Sequence, residues 1–152
     1  MRRSFAALLL LLALATPARA VQGFLYKVLP QFLDQDGRES LTPSLYDRDA
    51  YQAVLRAHPE KRGGLRFAVQ WKLSLPQAPA HTLRVELRGT GPDGLPSKAT
   101  FELPLPKKHA FSHWEYLKFD GDAYRKFGEM SAWRVTLWEG DKLLGEQKSF
   151  LW

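Results

Sequence analysis

The sequence predicts a mainly β protein whose strands form two antiparallel sheets that pack face to face as a sandwich. Apolar and polar residues alternate along several short segments, which is the pattern of strands that bury one face. Turns rich in glycine and proline separate these segments, so that about seven strands are expected. The two helical segments are too short to form a layer, and the sheets must therefore cover each other.

The first 20 residues have the three parts of a secretory signal. Arg2-Arg3 precedes an apolar stretch over residues 5–15, and the run Ala18-Arg19-Ala20 predicts cleavage after Ala20. The apolar stretch is about half of the roughly 20 residues that a membrane-spanning helix needs. No later segment is as apolar, so the mature chain, residues 21–152, is expected to lack a transmembrane segment. The high leucine content of the apolar stretch in the leader favours the general secretory route over the twin-arginine route.

Composition and charge exclude several classes of function. The 152 residues contain no cysteine, which excludes disulfide scaffolds, cysteine-ligated metals and cysteine nucleophiles. The leader, residues 1–20, carries three of the 22 Lys and Arg and none of the 16 Asp and Glu, so 19 minus 16 leaves +3. This weak excess argues against nucleic-acid binding. The mature 132 residues, 152 minus 20, suffice for one sandwich domain without disulfides, as expected of a bacterial envelope protein.

Seven segments of the mature chain carry the strand pattern. The clearest is 65–75, where apolar residues occupy every second position. The turn at 91–94 joins two segments as a hairpin, and Pro104 restricts the second of them to an edge or an end, because proline cannot donate to a neighbouring strand. The predicted strands cover residues 24–29, 65–75, 82–89, 98–105, 111–119, 132–138 and 143–151.

Two segments break the strand pattern and predict short helices. Over 46–57 the apolar residues recur about once per helical turn, which predicts one buried stripe. Ser44 and Asp47 have the spacing of a capping box, and His58-Pro59 ends the helix. A helical turn over 122–127 is closed by Gly128 in the left-handed conformation. The predicted stripe of the first helix consists of Tyr46, Ala50, Tyr51, Val54 and Leu55.

The number and spacing of the strands resemble those of an immunoglobulin-like or fibronectin-like sandwich. Trp71, in the second strand, is predicted to fill the buried position that a core tryptophan takes in such sandwiches. The paired cysteines of antibody domains are absent, so the resemblance covers the rhythm of the strands and indicates no particular family.

His113 and Glu115 are the candidate residues for chemistry. His109 and His113 are four residues apart, which in an extended segment is about 13 Å at ~3.3 Å per residue, too far for one metal ion to bridge. His113 and Glu115 lie two apart on one strand face and are a hypothesis for a metal or hydrolase site with a third ligand from elsewhere. The favoured interpretation makes them surface residues beside a core Trp114.

Trp138 is the candidate residue for binding. Alternation places it on the face opposite Trp133, so it is a hypothesis for an exposed aromatic that contacts a sugar, a peptide or a protein. The favoured interpretation is that it packs under a neighbouring loop or helix. The terminal Phe150 and Trp152 resemble the tail of an outer-membrane barrel, but a final strand that locks one of them into the sandwich is preferred.

The loop Asp34–Glu39 has a superficial likeness to a calcium-binding loop. Gly37 falls at the fourth position, whereas the EF-hand pattern requires a glycine at the sixth, so the spacing fails. Aspartates that accept hydrogen bonds from their own backbone are predicted instead.

No motif for catalysis, phosphate binding or a cofactor is present in the sequence. The preferred hypothesis is a non-catalytic binding or assembly module of the bacterial cell envelope, periplasmic or extracellular, whose partner is an envelope protein, a peptide or a glycan. The alternatives are a hydrolase or metal-dependent enzyme that uses His113 and Glu115, and a small outer-membrane β-barrel. The expected function thus depends on fold class and on the lack of motifs.

Overall fold

The computed structural model describes residues 23–73, 80–106 and 112–152, and the predicted leader and His109 lie outside this range. Two helices are present among the described residues, α1 (Leu45–Ala57) and α2 (Gly121–Phe127), with a 3₁₀ turn at Pro59–Lys61. The strands are β1 (Gly23–Asp34), β2 (Arg62–Leu73), β3 (His81–Thr90), β4 (Pro96–Leu105), β5 (His113–Asp120), β6 (Glu129–Glu139) and β7 (Lys142–Lys148).

The strands form two antiparallel sheets with the orders β1-β2-β5 and β4-β3-β6-β7. In the immunoglobulin convention these are strands A-B-E and C′-C-F-G, so the connectivity is immunoglobulin-like. The predicted two-sheet sandwich with two short helices is confirmed. Neither sheet closes on itself within the described ranges, which a closed barrel requires, and the barrel alternative is wrong for this fold. No helix in the described part is long and apolar enough to cross a membrane.

The core lies between the two sheets and follows from strand alternation. On β2 every second side chain points inward, and Phe67, Val69 and Trp71 are fully buried there. The facing strands β3 and β6 contribute Leu83, Val85, Leu87, Val135 and Leu137 to the same cluster. The burial of Trp71 confirms its predicted place in the core.

The predicted hairpin is formed by β3 and β4, which pair in register with Val85 opposite Phe101. Within the described residues β4 has no second neighbour, so it is an edge strand, as Pro104 predicted. The last strand is shorter than predicted and ends at Lys148. Ser149 accepts a hydrogen bond from the backbone N–H of Trp133 through its hydroxyl at 3.0 Å, and residues 150–151 form a turn.

The expectation that the tail locks an aromatic residue into the core is wrong. Phe150 is fully exposed, because the strand has already ended when the chain reaches it. Trp152 lies instead on the outside of the four-stranded sheet, with the guanidinium of Arg88 4.0 Å from its ring centroid. The tail therefore contributes a surface contact of the cation–π type.

Helix α1 begins and ends as predicted, but it buries a different set of side chains. The Ser44 hydroxyl accepts from the Asp47 backbone N–H at 3.4 Å, which confirms Ser44 as the N-cap. The reciprocal bond of a capping box is not made, because the Ser44 N–H donates to the Thr42 hydroxyl. Of the predicted stripe, Leu55 is fully buried, whereas Tyr46 is 84% exposed. Gln52 is buried instead. The prediction of one continuous apolar stripe is therefore wrong.

Gln52 is buried because its amide serves the backbone of β1. Its Oε1 accepts from the Phe32 N–H at 2.8 Å, and its Nε2 donates to the Phe32 carbonyl at 2.8 Å. These are the two bonds that a neighbouring strand would make, and they satisfy polar groups that are costly to leave unpaired. Helix α1 is thus attached to the edge of the three-stranded sheet by polar contacts.

Arg62 attaches the other end of α1. Its Nε donates to the Leu55 carbonyl at 2.5 Å and its Nη2 to the Arg56 carbonyl at 2.6 Å, so it binds carbonyls in the last turn of the helix. Its Nη1 lies 2.7 Å from Glu129 at the start of β6, and its guanidinium is 4.0 Å from the centroid of the Phe32 ring. One buried side chain therefore links α1, β1 and β6.

Candidate functional site

Strand β5 divides the candidate residues between two faces. His113 and Glu115 lie on the same inward-facing row as the buried Leu117, and the His113 ring is 6.2 Å from the Trp71 ring, centroid to centroid. Trp114 and Tyr116 point outward and are 39% and 53% exposed. The interpretation of Trp114 as a core residue is wrong, because the alternation of β5 places it on the solvent side.

The inward position of His113 and Glu115 limits what they can bind. Among residues 23–73, 80–106 and 112–152, no three His, Asp or Glu side chains are grouped closely enough to hold a metal ion. His113 packs beside the ring of a buried tryptophan. The structure therefore gives these two residues a place at the margin of the core.

Trp138 lies half-buried on the outer face of the four-stranded sheet. Its Nε1 donates to the Thr136 hydroxyl at 2.7 Å, and the Arg84 guanidinium is 4.8 Å from its ring centroid. Two arginines on this face pair with carboxylates. Arg84 lies 2.6 Å from Glu102, and Arg134 lies 2.6 Å from Glu146. The carboxylates Glu102 and Glu146 on this face are thus engaged by arginines of neighbouring strands.

The outer face of the three-stranded sheet has a different character, and we call it the aromatic face. Four exposed rings define it: Phe24, Tyr26, Trp114 and Tyr116. The rings of Phe24 and Tyr26 stack at 6.2 Å with an angle of 24° between their planes. The pair lies at the start of β1, where a bulge between Leu25 and Lys27 shifts the register with β2. Exposed aromatic groups on one sheet face are a feature of contact surfaces.

A cleft of about 280 Å³ lies in the aromatic face beside α1. The register explains it, because Leu29, Ala68 and Tyr116 form one row across the three strands. Ala68, on the central strand, has the smallest side chain of the row and lowers the floor between its neighbours. Trp114 and Arg48 also line the cleft. The result is an open groove with aromatic and basic walls.

Arg66 holds one wall of the cleft in position. Its guanidinium is 2.7 Å from Glu39, and its Nη2 donates to the Gln31 Oε1 at 2.8 Å. The same guanidinium lies 4.8 Å from the centroid of the Tyr116 ring. Because both polar contacts restrain Arg66, the Tyr116 ring has a rigid neighbour, which lowers the entropy lost when a ligand binds.

The loop Asp34–Glu39 at the end of β1 is organised by one carboxylate. Asp34 Oδ1 accepts from the backbone N–H groups of Asp36 and Arg38, both at 2.9 Å, which confirms the predicted aspartate turn. Asp34 Oδ2 accepts from the Tyr51 hydroxyl at 2.7 Å and from the Arg38 Nε at 2.9 Å. Burial alone would raise the pKa of Asp34, but these bonds outweigh it and hold that pKa below 3.8.

The lowered pKa of Asp34 predicts a contribution to stability that depends on pH. The contribution is present above the unfolded-state pKa of 3.8 and is lost as the pH falls through the folded-state pKa. We expect Asp34→Asn to lower the free energy of unfolding by about 1–2 kcal/mol at neutral pH. Below 3.8 the difference from the unsubstituted protein should shrink.

Urea denaturation at neutral pH and in acid measures this difference. Asp141→Asn, in the exposed turn between β6 and β7, is the matched control and should have little effect at either pH. A destabilisation by Asp34→Asn that stays constant from neutral pH into acid would contradict the assignment.

Sequence reasoning missed the aromatic face. The signal was present in the segment 113–119, where Trp114, Tyr116 and Lys118 alternate with the candidate residues. The two alternating rows of this segment both contain aromatic or ionisable residues, so the pattern did not show which row faces the core. That choice depends on the pairing of β5 with β2, which turns the row of Trp71 and His113 inward.

Among known proteins, similarity to this chain was found in solved structures. No protein-family model matches the chain, and no curated protein is significantly similar to it. A crystal structure from Akkermansia muciniphila matches with a TM-score of 0.58 and 10% identity, over 90% of this chain and 73% of that one. An immunoglobulin-like protein from Pseudomonas aeruginosa has a TM-score of 0.41 and 16% identity, over 88% and 97%. At such identities the first likeness shows the fold alone.

Proposed function

We propose that the protein is an exported, non-catalytic binding or assembly module of the bacterial cell envelope, and that it binds its partner through the aromatic face. The observation that carries the proposal is the exposure of Trp114 and Tyr116 side by side along β5, above the cleft floored by Ala68. Rings held out to solvent on one rigid sheet face supply a large contact area at a low cost in entropy.

The shape and the lining residues of the aromatic face support binding more than catalysis. The cleft is open, and its walls are aromatic, aliphatic and basic side chains. A catalytic site for acid–base or nucleophilic chemistry needs groups with matched proton affinities within hydrogen-bond reach of the reacting atoms. No carboxylate is among the described residues that line the cleft, and Glu39 beside it is engaged by Arg66. The geometry therefore favours a surface for recognition.

The place of action is proposed from the leader pattern. The basic, apolar and small-residue parts of residues 1–20 support export, and the lack of cysteine is compatible with an oxidising compartment outside the cytosol. The partner is then an envelope protein, a peptide or a glycan, whereas the mature charge of +3, from 19 minus 16, is too weak to support a nucleic-acid partner.

Export predicts the mass of the mature chain. Expressed from its full sequence in a bacterium, the protein should be recovered from the periplasm or the medium with Val21 as its first residue. Intact-mass spectrometry of the fractionated protein measures this directly. Replacing the small residues at the cleavage site by Ala18→Arg together with Ala20→Arg should block processing. Material recovered in the cytosol with residues 1–20 still attached would contradict export.

Binding through the aromatic face predicts co-sedimentation with envelope fragments. Purified mature protein should sediment with washed bacterial envelope fragments, and Trp114→Ala combined with Tyr116→Ala should reduce the bound fraction by about tenfold. Both side chains are exposed, so thermal denaturation of the double variant should be nearly unchanged.

Phe150→Ala is the matched control for this experiment, because Phe150 is a fully exposed aromatic residue outside the aromatic face. It should sediment like the unsubstituted protein. If the double variant sediments as well as this control, the aromatic face is not the binding surface.

A further inference from the structure

The two outer faces of the sandwich differ in how their charges are balanced. On the four-stranded sheet Arg84 pairs with Glu102 and Arg134 pairs with Glu146. Arg88, on the same face, lies over the ring of Trp152 and makes no ion pair among the described residues. The aromatic face has two clefts, and no carboxylate is among the described residues that line them. The cations that line these clefts are Lys27, Arg48, Arg66 and Lys72.

These cations differ in how available they are to a ligand. Arg66 is held by Glu39, and Arg48 lies 3.3 Å from Asp49. Within the described ranges, Lys27 and Lys72 make no ion pair. Lys118 makes none either and lies on the same outward row of β5 as the two exposed rings. Three unpaired lysines therefore surround the aromatic face.

The register sets the spacing of lysines and rings. Lys27, Gln70 and Trp114 form one row across the three strands, so Lys27 and Trp114 are two strand spacings apart, about 10 Å. Along β5, Lys118 follows Tyr116 by two residues, a distance of about 7 Å. A ligand on the two rings therefore has Lys118 beyond Tyr116 along β5, and Lys27 to the side of Trp114 across the sheet.

We propose that the aromatic face binds an acidic polysaccharide of the uronic-acid class, and this inference rests on the proposed function. The C–H faces of the sugar rings stack on Trp114 and Tyr116, where they leave water together with the aromatic surface. The carboxylates pair with Lys27 and Lys118. Gln70, whose Nε2 donates to the Ser112 hydroxyl at 3.3 Å, lies in the same row and supplies polar groups for sugar hydroxyls.

The shape of the surface favours a glycan over an acidic peptide. A peptide gains most of its affinity by burying side-chain anchors in deep pockets or by pairing with a strand edge. The cleft floored by Ala68 is open, and Trp114 and Tyr116 expose ring surface beside it, which differs from a closed pocket for a side-chain anchor. A polymer of flat, repeating, negatively charged units matches such a surface along its length.

Calorimetric titration with oligomers of galacturonic acid and of mannuronic acid tests the proposal. At least one of them should bind, and its methyl-esterified form, in which the carboxylates are neutral, should bind about tenfold or more weakly. Lys27→Glu combined with Lys118→Glu should weaken binding by a similar factor, as should Trp114→Ala combined with Tyr116→Ala. Lys142→Glu and Phe150→Ala, both at exposed sites outside the face, are the controls and should bind normally.

Three outcomes would overturn the inference. If neither acid oligomer binds, while sedimentation with envelope fragments still depends on Trp114 and Tyr116, the partner is of another class and the proposed function stands. If a polyglutamate of equal charge, which has neither sugar nor aromatic rings, binds as tightly, the contact is electrostatic and does not recognise the sugar. If glycan binding survives loss of the two rings, the aromatic face is not the site, and sedimentation that is also unchanged overturns the proposed function as well.

Discussion

Trp71→Ala is expected to destabilise the protein by about 3–5 kcal/mol, the usual cost of removing a large buried aromatic side chain. Trp71 is fully buried, lies on the central strand β2 of its sheet and contacts the ring of His113 on β5. Because its neighbours are held by two sheets, they cannot collapse into the space left behind. For a domain of ordinary stability this loss approaches the whole free energy of unfolding.

Urea denaturation followed by circular dichroism measures the effect, and Trp71→Phe keeps the measurement possible if the alanine variant does not fold. The phenylalanine variant should lose less, because it leaves a smaller cavity. Trp114→Ala is the matched control, a tryptophan on the neighbouring strand that points to solvent, and it should change stability little. Equal effects of Trp71→Ala and Trp114→Ala would contradict the assignment of the two faces.

Arg62→Ala is expected to destabilise the protein by about 2–4 kcal/mol, because it leaves the buried carbonyl of Leu55 and the partly buried carbonyl of Arg56 without their donor. The substitution also removes the link from α1 to Glu129 and the contact of the guanidinium with the Phe32 ring. Amide hydrogen exchange should rise first in the last turn of α1, since that helix has few apolar contacts to hold it.

Arg62→Lys separates charge from geometry. Lysine keeps the positive charge near Glu129, but its single ammonium cannot reproduce the arrangement of donors of the planar guanidinium, so an intermediate loss is expected. Arg125→Ala is the matched control, an exposed arginine paired with Asp122 on α2, and surface pairs of this kind contribute little. Full retention of stability in Arg62→Ala would mean that α1 is held by other contacts.

The prediction of the strands succeeded because strand periodicity is a local property. Along β2, each second residue is apolar and each is buried, as alternation requires. The hairpin of β3 and β4 followed from the turn at 91–94, and the edge position of β4 from Pro104. In each of these cases the residues that form the sequence pattern are also the residues whose burial or backbone conformation determines the local structure.

The prediction for α1 failed where a polar side chain replaced an apolar one. Periodicity assumes that a helix is held by its apolar stripe, yet Gln52 is buried and Tyr46 is exposed. The amide of Gln52 is needed at the unpaired edge of β1, which lies 20 residues away along the chain. The periodicity of the helix residues cannot show that a backbone group on a distant strand needs a hydrogen-bond partner, so it could not predict the burial of Gln52.

The amino-acid sequence alone established the class of fold, the approximate ranges of most strands and both helices, and the burial of Trp71, because each follows from interactions between near neighbours in the chain. The pairing of β5 with β2 was needed to turn Trp114 and Tyr116 outward and to bring the row of Leu29 and Ala68 beside them. A binding face joins side chains from three strands that are far apart in sequence, and its composition is set by which strands pair and in which register. That long-range pairing is why the aromatic face emerged from the folded structure.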